Sequence, residues 1–144
     1  MIAIGCDHGG FELKNIIVSY LEELGYEYTD CGVYNENSVD YPDVAKIVCS
    51  KIQKKECDLG ILVCGTGIGM NMCANKHKGI RAAQCHDTFS AKMTRQHNDA
   101  NVLTMGGRVV GSELAKEIVY EFLNNKFEGG RHENRVRKMM EIEL

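Results

Sequence analysis

Short runs of apolar residues alternate along the chain with stretches in which apolar residues recur every three or four positions. The short runs are typical of buried strands in a parallel sheet, and the longer spacing is typical of amphipathic helices. The pattern predicts strands at residues 2–6, 26–31, 59–64, 80–85 and 102–105. It predicts helices at 11–24, from 41 onward, at 68–76, 87–96 and 112–124, and a last, charged helix from 129. This alternation predicts a doubly wound (Rossmann-like) α/β fold, a five-stranded parallel sheet flanked by helices, with a C-terminal helix.

Composition narrows the classes of function. With no repeat or linker in 144 residues, we expect a single domain over 1–144. A formal charge of -3 does not favour nucleic acid or an anionic membrane as a partner. Seven cysteines without a C-x-x-C pair argue against a disulfide framework and a zinc site, and favour a reducing cytoplasm. The N-terminal residues are strand-like, so neither secretion nor membrane insertion is expected.

The segment 59–70, LGILVCGTGIGM, carries the strongest chemical signal. An apolar run ends at Cys64, and the alternating glycines that follow allow a sharp turn with exposed backbone N–H groups before a helix begins. A thiol at the start of a helix is favoured as the thiolate. We therefore expect Cys64 to be reactive and to face an anion-binding loop.

Ligands of open parallel sheets bind beyond the carboxyl ends of the strands. Residues able to do chemistry follow the first, third and fifth predicted strands, and others close the fourth helix, so we expect one site to gather them. They are Asp7, His8, Gly9, Gly10, Cys64, Gly65, Thr66, Gly67, Gly69, His97, Asn98, Asp99, Gly106, Gly107 and Arg108.

Several other glycine-loop chemistries fail on spacing. Met70 stands where a dinucleotide-binding G-x-G-x-x-G would need its last glycine, and no Lys-Ser or Lys-Thr completes a Walker loop. Met70 also stands six positions after Cys64, where a cysteine phosphatase would need an arginine. These three classes are therefore not favoured.

Seven segments, in order along nearly the whole chain, carry a family resemblance: GCDHGGFELK, DYPD, ILVCGTGIGM, ANK, GIRA, TRQHNDANVLTMGGRVVG and EGGRHENRV. They resemble the ribose-5-phosphate isomerase B family, which also includes bacterial galactose-6-phosphate isomerase subunits. The resemblance implies an aldose-ketose isomerase that needs no metal or other cofactor. It interconverts ribose 5-phosphate and ribulose 5-phosphate through an enediolate, in the non-oxidative pentose phosphate pathway. It also implies a homodimer with active sites at the subunit interface, and it leaves open whether two dimers pair into a tetramer.

The resemblance assigns four catalytic residues. Cys64 is the base that moves a proton between neighbouring carbons. His97 opens the sugar ring with help from Thr66, and Asp7 lies near the sugar hydroxyls.

Further residues are assigned to substrate binding. Backbone N–H groups of the glycine loop face the developing enediolate oxygen, and Asn98 bonds the sugar oxygens. A histidine and three arginines, two of them four apart on the last helix, bind phosphate, and Tyr41 lies along the sugar. The set is His8, Tyr41, Gly65, Gly67, Ile68, Gly69, Asn98, Arg108, Arg131 and Arg135.

Structural roles remain open for the same residues. Cys64 has the alternative of an inert buried cysteine, Asp7 of a helix cap, and His97 of a helix-end contact. Arg131 and Arg135 have the alternative of a solvated basic face. The other six cysteines are expected to be core or incidental, and His77, His86 and His132 have no predicted role.

Two functional alternatives also remain. One is an isomerase of a hexose 6-phosphate, allose or galactose 6-phosphate. The other is a module that binds a phosphorylated metabolite without chemistry. A binding module has no need of the thiol of Cys64 in its anion loop, which favours an enzyme.

Overall fold

The computed structural model describes residues 1–143 and contains a five-stranded, wholly parallel sheet. The strands are β1 (Ile2–Cys6), β2 (Tyr28–Asp30), β3 (Leu59–Cys64), β4 (Ala82–Gln84) and β5 (Val102–Gly106), in the order β2-β1-β3-β5-β4. Within residues 1–143 the α-helices are α1 (Phe11–Leu24), α2 (Tyr41–Gln53), α3 (Ile68–Ala74), α4 (Thr88–Asn98), α5 (Ser112–Asn124) and α6 (Arg131–Met140). The predicted fold class is confirmed.

Helices cover both faces of the sheet. Neighbouring residues of β3 pack on opposite sides: Ile61 joins a cluster with α1 and α5, and Leu62 joins a second cluster with α2 and α3. Burial on both faces explains why the strands read as unbroken apolar runs. No helix in the described part of the chain is long and apolar enough to span a bilayer.

The edge strands are shorter than the sequence predicts. β2 and β4 have three residues each, although apolar residues continue beyond them. Ile80 and Cys85 flank β4 and are buried without belonging to it. An apolar run indicates that its residues are buried, but it does not show how many of them pair as a strand. The length of an edge strand depends on hydrogen bonds to a single neighbour, which for β4 is β5.

The sheet has a switch point between β1 and β3. The chain leaves β1 toward β2 on one side, and later places β3 on the other side. Cys64 pairs with Gly106 and Cys6 pairs with Val63, so the ends of β1, β3 and β5 lie together. We call this side of the sheet the carboxyl edge and the opposite side the amino edge. A crevice at the carboxyl edge is where such sheets bind ligands.

A buried lysine fixes the chain that leaves β2. The side chain of Lys14 is 1% exposed, and its Nζ donates to Asp30 Oδ2 at 2.8 Å and to the Val33 carbonyl at 2.9 Å. The backbone N–H of Val39, further along the same loop, donates to His8 Nδ1 at 3.3 Å. The Lys14 contacts therefore anchor the loop that touches a predicted site residue.

Candidate active site

Cys64 ends β3 and is 4% exposed. Its Sγ accepts a hydrogen bond from the Gly67 N–H at 3.1 Å. Gly67 has φ +81°, and a Cβ atom there would lie 2.7 Å from the Met105 carbonyl carbon. Glycine is thus required both by conformation and by space. Because α3 has only seven residues, this direct N–H contact, rather than the helix dipole, is the main local feature that would favour negative charge on the sulfur.

Three loops meet around Cys64 with backbone against backbone. The Gly107 N–H donates to the Cys64 carbonyl at 2.7 Å, and the Asp7 N–H donates to the Val63 carbonyl at 3.1 Å. A Cβ atom at Gly107 would lie 2.8 Å from the Gly9 carbonyl oxygen. The loops after β1, β3 and β5 therefore converge as predicted.

Asp7 caps the short 3-10 turn at His8–Gly10. Its Oδ1 accepts from the N–H groups of Gly9 and Gly10 at 2.9 and 3.2 Å. The capping alternative is thus realised, and it fixes the carboxylate beside the Cys64 loop. His8 uses Nδ1 as an acceptor for Val39, so a neutral His8 carries its proton on Nε2. That nitrogen is a donor available to a ligand.

Two of the expected backbone donors are engaged within the loop itself. The Gly67 N–H is directed at the Cys64 sulfur, and the Ile68 N–H donates to Thr66 Oγ1 at 3.2 Å. Beside them, the Tyr41 ring packs on the first turn of α3. It lies so close that a Cβ atom added at Gly69 would be 2.7 Å from the ring. Tyr41 thus forms one wall of the Cys64 crevice.

Most other cysteines are held as thiols by burial. Burial raises the pKa of Cys6 to about 11 and the pKa values of Cys49 and Cys85 to about 12. It also raises the pKa values of Cys31 and Cys57. These residues lack the glycine-loop donor that Cys64 has, and they match the predicted structural role.

His97 and Asn98 lie at the amino edge, far from Cys64 in the same chain. They end α4, whose 11 residues rise about 16 Å from its start after β4. The residues that follow contact the beginnings of strands. Arg81 Nε, just before β4, donates to the Asp99 carbonyl at 2.7 Å, and the Gly60 N–H donates to the Asn101 carbonyl at 2.9 Å. Within one chain, therefore, His97 and Asn98 do not join the residues that gather at the carboxyl edge.

His132 is a residue that the sequence did not single out. Its ring stacks on His97 with centroids 4.1 Å apart and planes 11° from parallel. Burial, followed by His97 and Arg131, lowers the pKa of His132. Glu128 completes the group, with its carboxylate 4.0 Å from His97 Nε2. The two histidines are 35 positions apart in the sequence, and no local signal indicates that they meet.

The same three side chains are of the types that bind zinc. Ligand atoms of His97, Glu128 and His132 lie within 4.8 Å of one another. Zinc needs ligand nitrogens that point to one position about 2.0–2.1 Å away. In nearly parallel stacked rings the nitrogen lone pairs lie in parallel planes, so one ring would have to turn. The arrangement as it stands does not fit a preformed zinc site.

The arginines divide into two kinds. Arg81 and Arg95 are paired with Asp99, and Arg137 with Glu141. Arg108, Arg131 and Arg135 are exposed, and no carboxylate among residues 1–143 forms a salt bridge with them. Arg108 lies over the Cys64 loop, since a Cβ atom at Gly65 would be 3.4 Å from its Nη1. The three predicted phosphate ligands are therefore the arginines left free to bind an anion.

The predicted site residues, together with His132, thus form two groups in one chain. The Cys64 group, at the carboxyl edge, consists of Asp7, His8, Tyr41, Cys64 to Gly69 and Arg108. The His97 group, at the amino edge, consists of His97, Asn98, Arg131, His132 and Arg135. The first group holds a thiol in a glycine loop beside Arg108, and the second holds a histidine pair beside free arginines.

A thiol in a glycine loop at the carboxyl edge of a doubly wound sheet, with arginines left free for an anion, fits an enzyme that acts on a small phosphorylated metabolite. The sequence model of the ribose/galactose isomerase family matches residues 2–139. The chain belongs to this family, which confirms the resemblance, and it is a sugar-phosphate isomerase.

Individual relatives are similar to this chain over nearly its whole length. The chain is 51% identical to Escherichia coli ribose-5-phosphate isomerase B over 142 residues, covering 99% of this chain and 95% of that one. It is 49% identical to a D-erythrulose-4-phosphate isomerase of Pectobacterium atrosepticum, covering 96% and 91%. The solved structure of a Thermotoga maritima ribose 5-phosphate isomerase is similar with a TM-score of 0.96 and 52% identity, covering 98% and 97%.

Proposed function

We propose that this enzyme interconverts D-ribose 5-phosphate and D-ribulose 5-phosphate, with Cys64 as the base. The observation that carries the proposal is the Cys64 sulfur, which ends β3 in the anion-binding loop and accepts the Gly67 N–H at 3.1 Å. The family membership and the relatives named for this reaction support the substrate class. A cytoplasmic location is also proposed, in line with seven free cysteines.

The reaction begins with ring opening. His97 and Thr66 move protons at the ring oxygen and the anomeric hydroxyl, which gives the open-chain aldose. The Cys64 thiolate then takes the proton from C2, and an enediolate forms across C1 and C2. The thiol returns that proton to C1, and a proton moves between the two oxygens, so the ketose forms and the thiolate is regenerated. Asp7 and Asn98 bind the sugar oxygens during these steps.

The two separate groups support a composite site in a homodimer. In one chain the Cys64 group and the His97 group lie at opposite edges of the sheet, so a site that contains both needs the second chain. Exposed apolar side chains beside the Cys64 group fit an interface: Ile68, Met72, Phe89 and Val109 are 51%, 63%, 71% and 58% exposed. We propose that the free Arg131 and Arg135 of one subunit reach the phosphate held at the Cys64 group of its partner.

A shorter or a longer sugar phosphate is the second candidate substrate. The D-erythrulose-4-phosphate isomerase at 49% identity favours a four-carbon alternative, and the six-carbon allose and galactose 6-phosphates remain the other one. All of these substrates share the aldose-ketose chemistry of Cys64. They differ in the distance between the phosphate and the carbonyl carbon.

The test is turnover by the chelator-treated protein with each of these sugar phosphates. Turnover of ribose 5-phosphate with the highest kcat/KM is the expected result, and a higher value for another sugar would replace the substrate. Cys64→Ala should abolish turnover while substrate still binds. Near-normal turnover by Cys64→Ala would show that another group is the base. Binding without turnover by the wild-type protein would favour the metabolite-binding module.

A further inference from the structure

Gln84 contacts the Cys64 loop from the edge of the sheet. It ends β4, and its Nε2 donates to the Thr66 carbonyl oxygen at 2.7 Å. The Thr66 carbonyl and the Gly67 N–H are the two ends of one planar peptide group. The Gly67 N–H end donates to Cys64 Sγ at 3.1 Å. One peptide group is therefore held between the amide of Gln84 and the sulfur of Cys64.

The orientation of this peptide decides the charge that Cys64 experiences. With the N–H toward the sulfur, the peptide stabilises a thiolate, whereas a reversed peptide would place a carbonyl oxygen there and repel it. The glycine on the C-terminal side, at φ +81°, leaves this peptide more freedom to rotate than another residue would. The hydrogen bond from Gln84 opposes that rotation. It also polarises the peptide, which makes its N–H a stronger donor.

We propose that Gln84 is a positioning residue for the Cys64 thiolate, acting through the Thr66–Gly67 peptide. The side chain of Gln84 does not touch the sulfur, and the role requires no contact with substrate. The proposal concerns the ionisation of Cys64 and rests on the proposed function only for its effect on catalysis. A neighbouring contact is consistent with it: the Gly106 N–H donates to His86 Nε2 at 3.0 Å, so the chain after β4 also supports the end of β5.

The test is the rate at which iodoacetamide alkylates Cys64, followed on the Cys64 peptide by mass spectrometry from pH 6 to 10. Gln84→Met removes the donor at similar length, and Gln84→Glu replaces it with an acceptor. Both should slow alkylation at pH 7 by about threefold, in the lower part of the range for one lost hydrogen bond. The midpoint of the pH profile should rise by about half a unit, which is the same change expressed on the pH scale.

Gln53→Met is the matched control. Gln53 Nε2 donates to the Lys78 carbonyl at 2.8 Å on the surface, with no link to Cys64. Its profile should coincide with that of the wild type. Unchanged profiles for both Gln84 variants, with thermal unfolding like that of the control, would overturn the proposal.

Because this assay uses no sugar phosphate, its result does not depend on whether the substrate has been identified correctly. In assays with the substrate, Gln84→Met should have a lower kcat than the wild type at pH values below the midpoint of the alkylation profile, and an unchanged KM. At higher pH its kcat should return to the wild-type value. A purely structural role would lower activity without this recovery.

Discussion

The composite site makes a quantitative prediction about mixed dimers. Cys64→Ala and His97→Ala subunits should each be inactive as homodimers, because each lacks one group in both sites. When the two are co-expressed at equal levels, about half of the dimers contain one chain of each kind. In such a dimer, one site combines the intact Cys64 group of one chain with the intact His97 group of the other. Since half of the dimers then carry one working site of two, activity should return to about one quarter of wild type.

A second mixture separates the composite site from a site within one chain. Wild-type subunits are co-expressed with subunits that carry both substitutions. For a composite site only wild-type homodimers work, and about one quarter of the activity remains. For a site within one chain, the first mixture would stay inactive and the second would keep about one half. The unfractionated mixtures, assayed at saturating substrate, give these fractions. Heterodimers isolated by tandem purification of differently tagged subunits should show one half of wild-type activity in the first mixture and none in the second for a composite site, and the reverse for a site within one chain. An inactive first mixture that contains tagged heterodimers would refute the reasoning.

Three further predictions follow from single contacts. Gly67→Ala should lower the free energy of unfolding by about 3 kcal/mol or more. Alanine would have the cost of a left-handed conformation and, in addition, the cost of a clash with the Met105 backbone. Gly79→Ala, at φ +78° with nothing within 4 Å, should lose only the conformational part, about 1 kcal/mol; equal losses in urea unfolding would contradict the packing argument. Arg135→Gln should raise KM about 10- to 100-fold with little change in kcat. Arg137→Gln, which breaks only the exposed contacts with Glu141 and Asn134, should leave KM and kcat unchanged. The free energy of unfolding should fall as the pH falls below about 6.5. The pKa of His132 is lower in the folded chain than in the unfolded chain, so on acidification the unfolded chain binds a proton first and is stabilised by it. In urea unfolding at pH 5.5 and 7.5, His132→Gln should show a smaller difference in the free energy of unfolding between the two pH values than the wild type. An equal difference in the two proteins would contradict the role of His132.

The sequence predicted the Cys64 loop because its signals are local. An apolar run and glycines with positive φ or no room for a Cβ atom act over a few residues, and Gly67 shows both constraints. The long strands, the starts of α1 and α2 and the position of α6 followed in the same way from periodicity and capping residues.

The position of His97 could not be predicted from local signals. It depends on β5 lying between β3 and β4, and on α4 running its full length to the amino edge. The order of strands in a parallel sheet is set by long-range packing, which apolar periodicity does not encode. The stacking of His132 on His97 depends on how α6 docks against α4, and it was missed for the same reason.

The interlocked glycine loops also decide where this site is able to vary. At Gly9, Gly67 and Gly107 the neighbour that an added Cβ atom would meet is backbone, which has no rotamer to change. A substitution there forces two loops apart and disturbs Cys64, so the proposed catalytic centre resists gradual alteration. The side chains that face the crevice from outside these loops, such as Tyr41, are free of that restriction. Differences in sugar length between relatives are therefore most easily accommodated at the walls of the crevice, around an unchanged centre.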